Sequence, residues 1–233
     1  MNVADAQKPA PGELFVDHVG HFVADLDAAA RVLESLGMTV TPSSVHQTPK
    51  GPAGTSNRCV MLEEGYIEIL SPTHDTPTAQ RMRVLMRRYP GVHLLCYGTP
   101  DAEAEHRRLA AHGFEPQSLV DLSREDGRVR FKVVRLAPEK MPEGRIQYVQ
   151  QLTPEHIWRA GEVNRLRLEE VFVVAKNPAG AAARWARFSG LLPHSVKDGV
   201  ELQTARGRIF IGKRDAIAKK LGASPAAPAI AGY

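Results

Sequence analysis

The chain has 233 residues, of which 43% are hydrophobic and 24% are charged. This length allows one domain or two small ones, and the balance of residue types excludes a wholly disordered chain. No apolar run approaches the ~18 residues that a membrane-spanning helix needs, so we expect no membrane insertion.

Charge and cysteine content narrow the class of protein further. Lysine and arginine (30) exceed aspartate and glutamate (26) by four, and the basic residues are mostly scattered, so no nucleic-acid partner is expected. The two cysteines, Cys59 and Cys96, are too few for a disulfide framework or a thiolate zinc site. Together with an N-terminus that lacks the layout of a secretory signal, they favour a cytoplasmic location.

The predicted elements begin after residues 1–12, a polar Ala/Pro/Gly-containing segment expected to be disordered. From His18 the sequence HVGHFVADLDAAARVLESLGMTV predicts a strand, an Asp-containing cap and a helix that stops at a glycine. The strand-like runs MTVTP, NRCVML and YIEIL follow, which completes a βαβββ module over residues 13–75. Residues 76–90 predict a linker helix.

The same pattern then returns. From His93 the sequence HLLCYGTPDAEAEHRRLAAHGFEP repeats the strand, the cap, the helix and the glycine, followed by three more strand-like runs. His18 and His93 lie 75 residues apart, and the stop residues Gly37 and Gly113 lie 76 apart. An in-register duplication therefore predicts a second βαβββ module over residues 91–152.

The remainder of the chain reads as a connector (153–167), a partial third module (168–220) and a flexible tail (221–233). An unpaired module leaves a sheet edge and apolar surface open, so we expect a possible homodimer built partly from residues 168–212. The predicted fold class is α+β, with paired βαβββ modules forming a cup-shaped mixed sheet and the third partial module at the C-terminus.

Strand alternation places four polar side chains on the predicted inner face of the cup. His18 and Glu68 come from the first and last strands of one module, and His93 and Gln147 come from the matching strands of the other. If the modules pair about a pseudo-twofold axis, these side chains converge on it. Imidazole and carboxylate ligands without thiolate suit Fe(II), Mn, Zn, Co or Ni.

The chain resembles the vicinal oxygen chelate superfamily, within it the glyoxalase-like domain proteins (the glyoxalase, bleomycin-resistance and extradiol-dioxygenase fold). The segments that carry the resemblance are DHVGHFVADLDAA, GTSN, YIEIL, GVHLLCYG and GRIQYVQQLTPEHIW. The resemblance implies that the metal ligands are His18, Glu68, His93 and Gln147, with Glu68 also catalytic. Gln147 departs from the carboxylate of glyoxalase I-type isomerases, and a neutral amide cannot act as a base near neutral pH.

The predicted function is a divalent-metal-dependent enzyme that acts on a small organic substrate with vicinal oxygens, as a lyase or isomerase or as a ring-cleaving dioxygenase. The alternative is a metal-free protein that sequesters a small aromatic or drug-like ligand, in which Glu68 pairs with an arginine such as Arg145. A regulatory or scaffold protein with a vestigial cup is a third reading.

The expected substrate-binding residues are Thr55 and Asn57, in the loop QTPKGPAGTSN over the cup, and Tyr97, on the same face as His93. The histidines His46, His74 and His156 are expected in or beside loops, at the surface.

Overall fold

The computed structural model describes residues 3–159 and 161–233, apart from the side chain of residue 126. The strands are β1 (Val16–Phe22), β2 (Ser44–Thr48), β3 (Gly51–Glu64), β4 (Tyr66–Pro72), β5 (Val92–Gly98), β6 (Val120–Arg124), β7 (Val129–Val134), β8 (Arg145–Gln151), β9 (Val163–Arg167), β10 (Glu170–Val174), β11 (Pro193–Val196), β12 (Gly199–Gln203), β13 (Arg208–Gly212) and β14 (Ala229–Gly232). The α-helices are α1 (Leu26–Ser35), α2 (Pro77–Met86), α3 (Ala102–Ala111), α4 (Pro178–Ser189) and α5 (Arg214–Leu221). None of these described helices has the length and apolar character needed to span a bilayer.

Nine strands form one curled sheet in the order β2-β6-β7-β8-β5-β1-β4-β3-β9. Because β2 also pairs with β3, the strands β1 to β8 close into a barrel, and its interior is the predicted cup. The closure is thin at one place, where β2 and β6 share a single paired position, Gln47 opposite Ser123. The predicted α+β class, with βαβββ modules around a cup, is confirmed.

The two modules meet along β1 and β5, which pair antiparallel. In each module the first strand pairs in parallel with the last, β1 with β4 and β5 with β8. The registers place Gly20 opposite Glu68 and Cys96 opposite Gln147. Cys96 is therefore the second-module counterpart of Gly20, and Leu94, two residues earlier, is the counterpart of His18.

Both module helices begin as the sequence indicates. The side chain of Asp25 accepts a hydrogen bond from the Ala28 backbone N–H, and Asp101 accepts one from that of Ala104. Each caps a donor that the first helical turn leaves unpaired. Like the stop glycines, these caps lie 76 residues apart, the same spacing that separates His18 from Leu94.

Helix α2, within the predicted linker helix 76–90, covers one end of the cup. Its buried Met82 belongs to the apolar cluster that contains Phe22 and Leu94, both on strands of the barrel. Thr76 caps the helix, and its hydroxyl also donates to the backbone carbonyl of Ala53 on β3. The linker is thereby a fixed wall of the cup.

The third unit forms a five-stranded sheet of its own, in the order β11-β12-β13-β10-β14. It repeats the strand–helix–three-strand pattern in full and extends it with α5 and β14, whereas the sequence predicted a partial module. Phe188 of α4 packs against Tyr97 and Tyr148 on the outer face of the barrel. The third unit therefore covers the outside of the second module.

Both ends of the chain differ from the expected disorder and flexibility. Ala4 and Gln7 are buried, and the Gln7 side chain donates to the backbone carbonyl of Glu63. Residues 1 and 2 of the predicted disordered segment, and residue 160 of the predicted connector, lie outside the described residues. In the predicted tail, β14 pairs with β10 and buries Ile230 completely, because the edge of β10 offers it a hydrogen-bonding partner.

Candidate functional site

The centre of the cup holds a buried histidine whose ring is fixed from both sides. The Nδ1 atom of His18 lies 2.5 Å from the Asp17 carboxylate, and its ring stacks on Tyr66 at a centroid distance of 4.2 Å. Asp17 also accepts a hydrogen bond from the side-chain amide of Gln151. With Nδ1 held in this way, the Nε2 atom of His18 faces Glu68, 3.7 Å from Oε2.

A second histidine reaches the same carboxylate from β2. The Nε2 atom of His46 lies 3.8 Å from Oε1 of Glu68, and its Nδ1 atom lies 2.8 Å from the hydroxyl of Thr55. The sequence analysis placed His46 at the surface, and that prediction is wrong, since the residue is 5% exposed. It fails because the segment expected to loop over the cup forms the hairpin of β2 and β3 instead.

Glu68 is oriented by an amide and, through it, by an arginine. The side-chain N–H of Asn57 donates to Oε1 of Glu68 at 2.5 Å, and its carbonyl accepts from Nη1 of Arg124 at 3.2 Å. All three side chains are buried. Asn57 and Thr55, expected to bind substrate, therefore contact Glu68 and His46. The alternative pairing of Glu68 with Arg145 is not formed, since its ion-pair contacts among the described residues are with His18 and His46.

Gln147 lines the same cavity as His18 and Glu68. Its side-chain N–H donates to the sulfur of Cys96 at 3.0 Å, while its Oε1 atom is buried without a hydrogen-bond partner among the described residues. An unpartnered buried carbonyl leaves an acceptor available to a ligand.

His93, the fourth predicted member, does not join this group. It is the extra residue of a bulge in β5, where Leu94 lies opposite Gly20 and Val92 opposite His21. Its Nε2 atom lies 2.8 Å from the Tyr89 carbonyl, and Nδ1 accepts from the Phe22 backbone N–H. The prediction that His93 shares the cup with His18 is wrong, because the modules correspond at a spacing of 76 residues and the histidines are 75 apart.

Tyr97 faces the same way as Leu95, toward the outer core. Both are fully buried, and the ring of Tyr97 packs against Tyr148 and Phe188. The expectation that Tyr97 contacts a substrate in the cup is therefore wrong, because alternation along β5 turns Leu94 and Cys96 inward.

The two cup histidines have opposite electrostatic surroundings. Burial alone would lower the pKa of His18, but Cys96 and Asp17 beside it outweigh burial and raise the pKa well above its ordinary value of 6.5. Burial also raises the pKa of the Cys96 thiol, so the negative charge beside His18 belongs to Asp17. Burial, followed by the charge of Arg124, lowers the pKa of His46 well below 6.5. At neutral pH the cup thus contains one charged and one neutral imidazole.

The cavity between these groups is small and has a basic wall. Its volume is about 30 Å³, and it is lined by His18, His46, Glu68, Gln147, Leu94, Arg124, Arg135 and Arg145, among others. A space of this size holds a water molecule or little more, so a substrate must widen the cup or lie partly outside it.

Comparison with known proteins identifies the family. The model of the glyoxalase-like domain family matches residues 16–189. The chain belongs to this family. The predicted resemblance to the vicinal oxygen chelate superfamily is thereby confirmed. No curated protein matches the chain.

Solved structures show the same fold for this glyoxalase-like chain. A hypothetical protein from Staphylococcus aureus is similar over 86% of each chain, with 17% identity and a TM-score of 0.69. A mutant of 4-hydroxymandelate synthase from Streptomyces coelicolor has 17% identity and a TM-score of 0.56, over 84% of this chain and 61% of that one. A methylmalonyl-CoA epimerase from the same organism has 20% identity and a TM-score of 0.47, over 59% of this chain and 94% of that one.

Glyoxalase-like relatives imply a divalent metal, and the predicted ligand set can be compared with the residues present. His93 lies outside the cup, and the apolar Leu94 stands where the duplication calls for the second imidazole. No three histidine, cysteine, aspartate or glutamate side chains of the described part of the chain are arranged to hold a metal ion. The predicted four-ligand centre is therefore not formed.

Charge points the same way. Three guanidinium groups, those of Arg124, Arg135 and Arg145, line the cavity that contains Glu68. Like charges in a buried site repel strongly, so this wall favours an anion over a cation. The residues present do not fit the predicted metal centre.

The site residues that the sequence analysis missed are Asp17, His46, Arg124 and Arg135. A usable signal was present for two of them: His46 and Arg135 alternate with outward residues along β2 and at the end of β7. Asp17 gave no such signal, because it sits at a bulge in β1, between Val16 and His18.

Proposed function

We propose that the chain is a glyoxalase-like enzyme that uses Glu68 as a proton-transferring base on a small organic substrate bound in the cup. The observation that carries this proposal is the arrangement around one buried carboxylate. Asn57 fixes Glu68 at 2.5 Å, and the Nε2 atoms of His18 and His46 approach its two oxygens.

The chemistry that fits this arrangement is removal of a proton from a carbon beside a carbonyl group. Glu68 takes the proton, the C–H bond breaks, and its electron pair moves to the carbonyl oxygen as an enolate. The charged His18 and the arginines of the cavity wall stabilise that negative charge in a site from which water is largely excluded. Return of the proton to another face or another carbon gives an isomerase, and loss of a leaving group from the enolate gives a lyase.

His46 supports the same role from the other side of the carboxylate. A neutral imidazole, with Nδ1 held by Thr55 and Nε2 directed at Glu68, is able to take a proton and pass it on. The lowered pKa of His46 keeps it in this neutral form at physiological pH.

The test is exchange of substrate carbon-bound hydrogen with deuterated water, followed by proton NMR. The substrate panel consists of 2-oxo acids, 1,3-dicarbonyl compounds and acyl thioesters. We expect exchange with at least one class, and Glu68→Gln is expected to slow it by roughly 10²–10⁴-fold, the usual contribution of a positioned base. Glu64→Gln, which removes a carboxylate outside the cup, is the matched control.

Two results would contradict the proposal. If Glu68→Gln exchanges the substrate as fast as the natural chain, Glu68 is not the base. If compounds bind without any exchange, the protein is the metal-free sequestering protein that the neutral Gln147 also suits.

A metal-dependent enzyme is the second candidate, and one observation favours it. Asp17 holds Nδ1 of His18 so that Nε2 faces Glu68, the arrangement in which metal-ligating histidines are commonly fixed. Elemental analysis of protein purified without a metal column separates the candidates: stoichiometric metal, lost in His18→Ala, supports this one. The cytoplasmic location and the homodimer through residues 168–212 stay predictions, and light scattering tests the dimer.

A further inference from the structure

Three arginines meet in a cleft at the end of the cup. Arg81 comes from α2, Arg135 follows β7, and Arg145 is the first residue of β8. All three line one cleft of about 120 Å³ between α2 and the strand ends. The topology thus brings three cations together from three separate elements.

None of these guanidinium groups has a counter-ion. Among the described residues, no carboxylate lies within ion-pair distance of Arg81, Arg135 or Arg145, whereas the nearby Arg184 pairs with Glu143. The Nε atom of Arg135 is buried without a hydrogen-bond partner in the same part of the chain. Unpaired buried donors and uncompensated charge are costly, so such a group of arginines is stable only with an anion nearby.

The electrostatic surroundings reflect this cost. Burial, and then the charges of Arg135 and Arg81, lower the pKa of Arg145. Burial is also the main cause of the lowered pKa of Arg135, and the charge of Arg81 adds to it. An anion between these groups would relieve both effects.

The rest of the cleft is apolar. Its remaining walls include the side chains of Val84, Leu85, Leu136, Met141 and Ile146. The guanidinium carbon of Arg145 lies 4.9 Å from the centre of the Phe22 ring. A ligand that fits these walls has an apolar body beside its charged group.

The cleft leads to the centre of the cup. Arg135 and Arg145 line both the cleft and the small cavity that contains Glu68 and His18. A ligand bound by these two arginines therefore has its charged group at the junction, with one side toward Glu68.

We propose that Arg81, Arg135 and Arg145 bind the carboxylate of an organic acid whose apolar part lies in the cleft. The planar guanidinium groups suit a carboxylate, which they are able to bind through paired hydrogen bonds. The placement of the reacting carbon beside Glu68 rests on the proposed function, whereas the anion site itself does not.

Isothermal titration calorimetry with acid and amide pairs tests the site. The probes are hexanoate and hexanamide, benzoate and benzamide, with phenyl phosphate to distinguish a phosphate site from a carboxylate site. We expect the acids to bind roughly ten- to hundred-fold more tightly than their amides, as a hydrogen-bonded charge provides, and to weaken with added salt.

The variants Arg135→Gln and Arg145→Gln locate the binding. Each is expected to lose that acid preference, and each should also raise the melting temperature of the ligand-free protein, since it relieves repulsion among like charges. Arg130→Gln removes an exposed charge from the same strand as a control and should do neither.

The outcomes separate the two proposals. Equal binding of acids and amides, or binding unaffected by both cleft variants, overturns the anion site and leaves the role of Glu68 standing. Tighter binding of phenyl phosphate than of benzoate overturns the carboxylate assignment. Normal acid binding by Glu68→Gln together with undiminished hydrogen exchange supports the anion site and overturns the role of Glu68.

Discussion

At the scale of single residues, the pair of Asp17 and His18 sets the charge of the cup. Asp17 is 1% exposed and contacts both His18 and the Gln151 amide, so its carboxylate is well positioned to stabilise a protonated ring. A buried charge of this kind persists only while its partner is present.

Replacing Asp17 tests this coupling. Asp17→Asn removes the negative charge and leaves the side chain nearly the same size, so the pKa of His18 is expected to fall from its raised position toward or below 6.5. Nitrogen-detected NMR titration of the imidazole measures the change. Asp121→Asn, at an exposed carboxylate on β6, should leave the His18 titration unaltered. An unchanged pKa of His18 in Asp17→Asn would mean that another group holds the proton.

Leu94 occupies the position at which the duplication calls for an imidazole. Leu94→His places a ring opposite Gly20, in the second-module counterpart of the His18 position. We expect this variant to gain affinity for Co²⁺ or Zn²⁺, since imidazole and carboxylate ligands bind both ions. Cobalt absorption spectra measure the gain.

The control for Leu94→His is His93→Ala, which should leave metal affinity as it is, because both ring nitrogens of His93 already have partners. Equal cobalt binding by the natural chain and Leu94→His would show that these strand positions are not equivalent.

The sequence predicted the inner-face positions of His18, Glu68 and Gln147 because alternation along a strand needs only local information. It failed at His93 because a bulge adds one residue to β5, and a shift of one residue reverses the faces of a strand. The caps Asp25 and Asp101 carry the correct spacing.

At the scale of elements, the C-terminal strand β14 is part of the core. Ile230 lies opposite Val173 of β10, and its Cδ1 atom packs close to Gly144. Because it is fully buried, its removal leaves a cavity at the boundary between the third unit and the second module.

Ile230→Ala is expected to lower the free energy of unfolding by about 2–5 kcal/mol, the usual cost of truncating a buried aliphatic side chain. Urea denaturation measures the loss. Leu192→Ala, at a side chain that is 75% exposed, should stay within ~0.5 kcal/mol of the natural chain. A tail that behaves as a flexible segment would give the same small change for Ile230→Ala.

The helices with capping aspartates could be predicted from sequence, whereas the β2–β3 hairpin could not. Its glycines and prolines are typical of a loop, yet they meet specific needs of this strand. Gly54 has φ +88°, and a Cβ there would lie 2.2 Å from the hydroxyl oxygen of Thr76 on the cap of α2. This glycine records a contact between distant segments, which local patterns do not reveal.

At the scale of the whole molecule, buried histidines govern the response to acid. Burial, and then the charge of His93, lower the pKa of His21 from 6.5 to about 4, and the pKa of His46 is lowered as well. Between these values the unfolded chain binds protons that the folded chain does not, so stability falls with falling pH. The raised pKa of His18 acts elsewhere: its contribution is complete below pH 6.5 and is lost as pH rises through the folded value.

The free energy of unfolding is therefore expected to decrease as pH falls from 6.5 to 4. His21→Gln should remove about 1–2 kcal/mol of this decrease, less than the full ~1.4 kcal/mol per pKa unit because the ring is partly exposed. Urea denaturation across this pH range measures it. His112→Gln, at an exposed histidine, should keep the slope of the natural chain. A His21→Gln slope equal to that of the natural chain would contradict the assignment.

The overall architecture was predictable because two copies of one module are legible in a single sequence, and their pairing follows from the buried faces. The third unit was legible only in part, since its later strands are short and its last one depends on β10 for a partner.

The lone bridge between Gln47 and Ser123 has a consequence for how molecules reach the interior. Every other seam around the ring is stitched by several residue pairs, so this is the join that thermal motion undoes most cheaply. His46 sits one residue before that stitch, and a barrel that unbuttons there would swing an imidazole aside as it admits a guest too bulky for the resting interior.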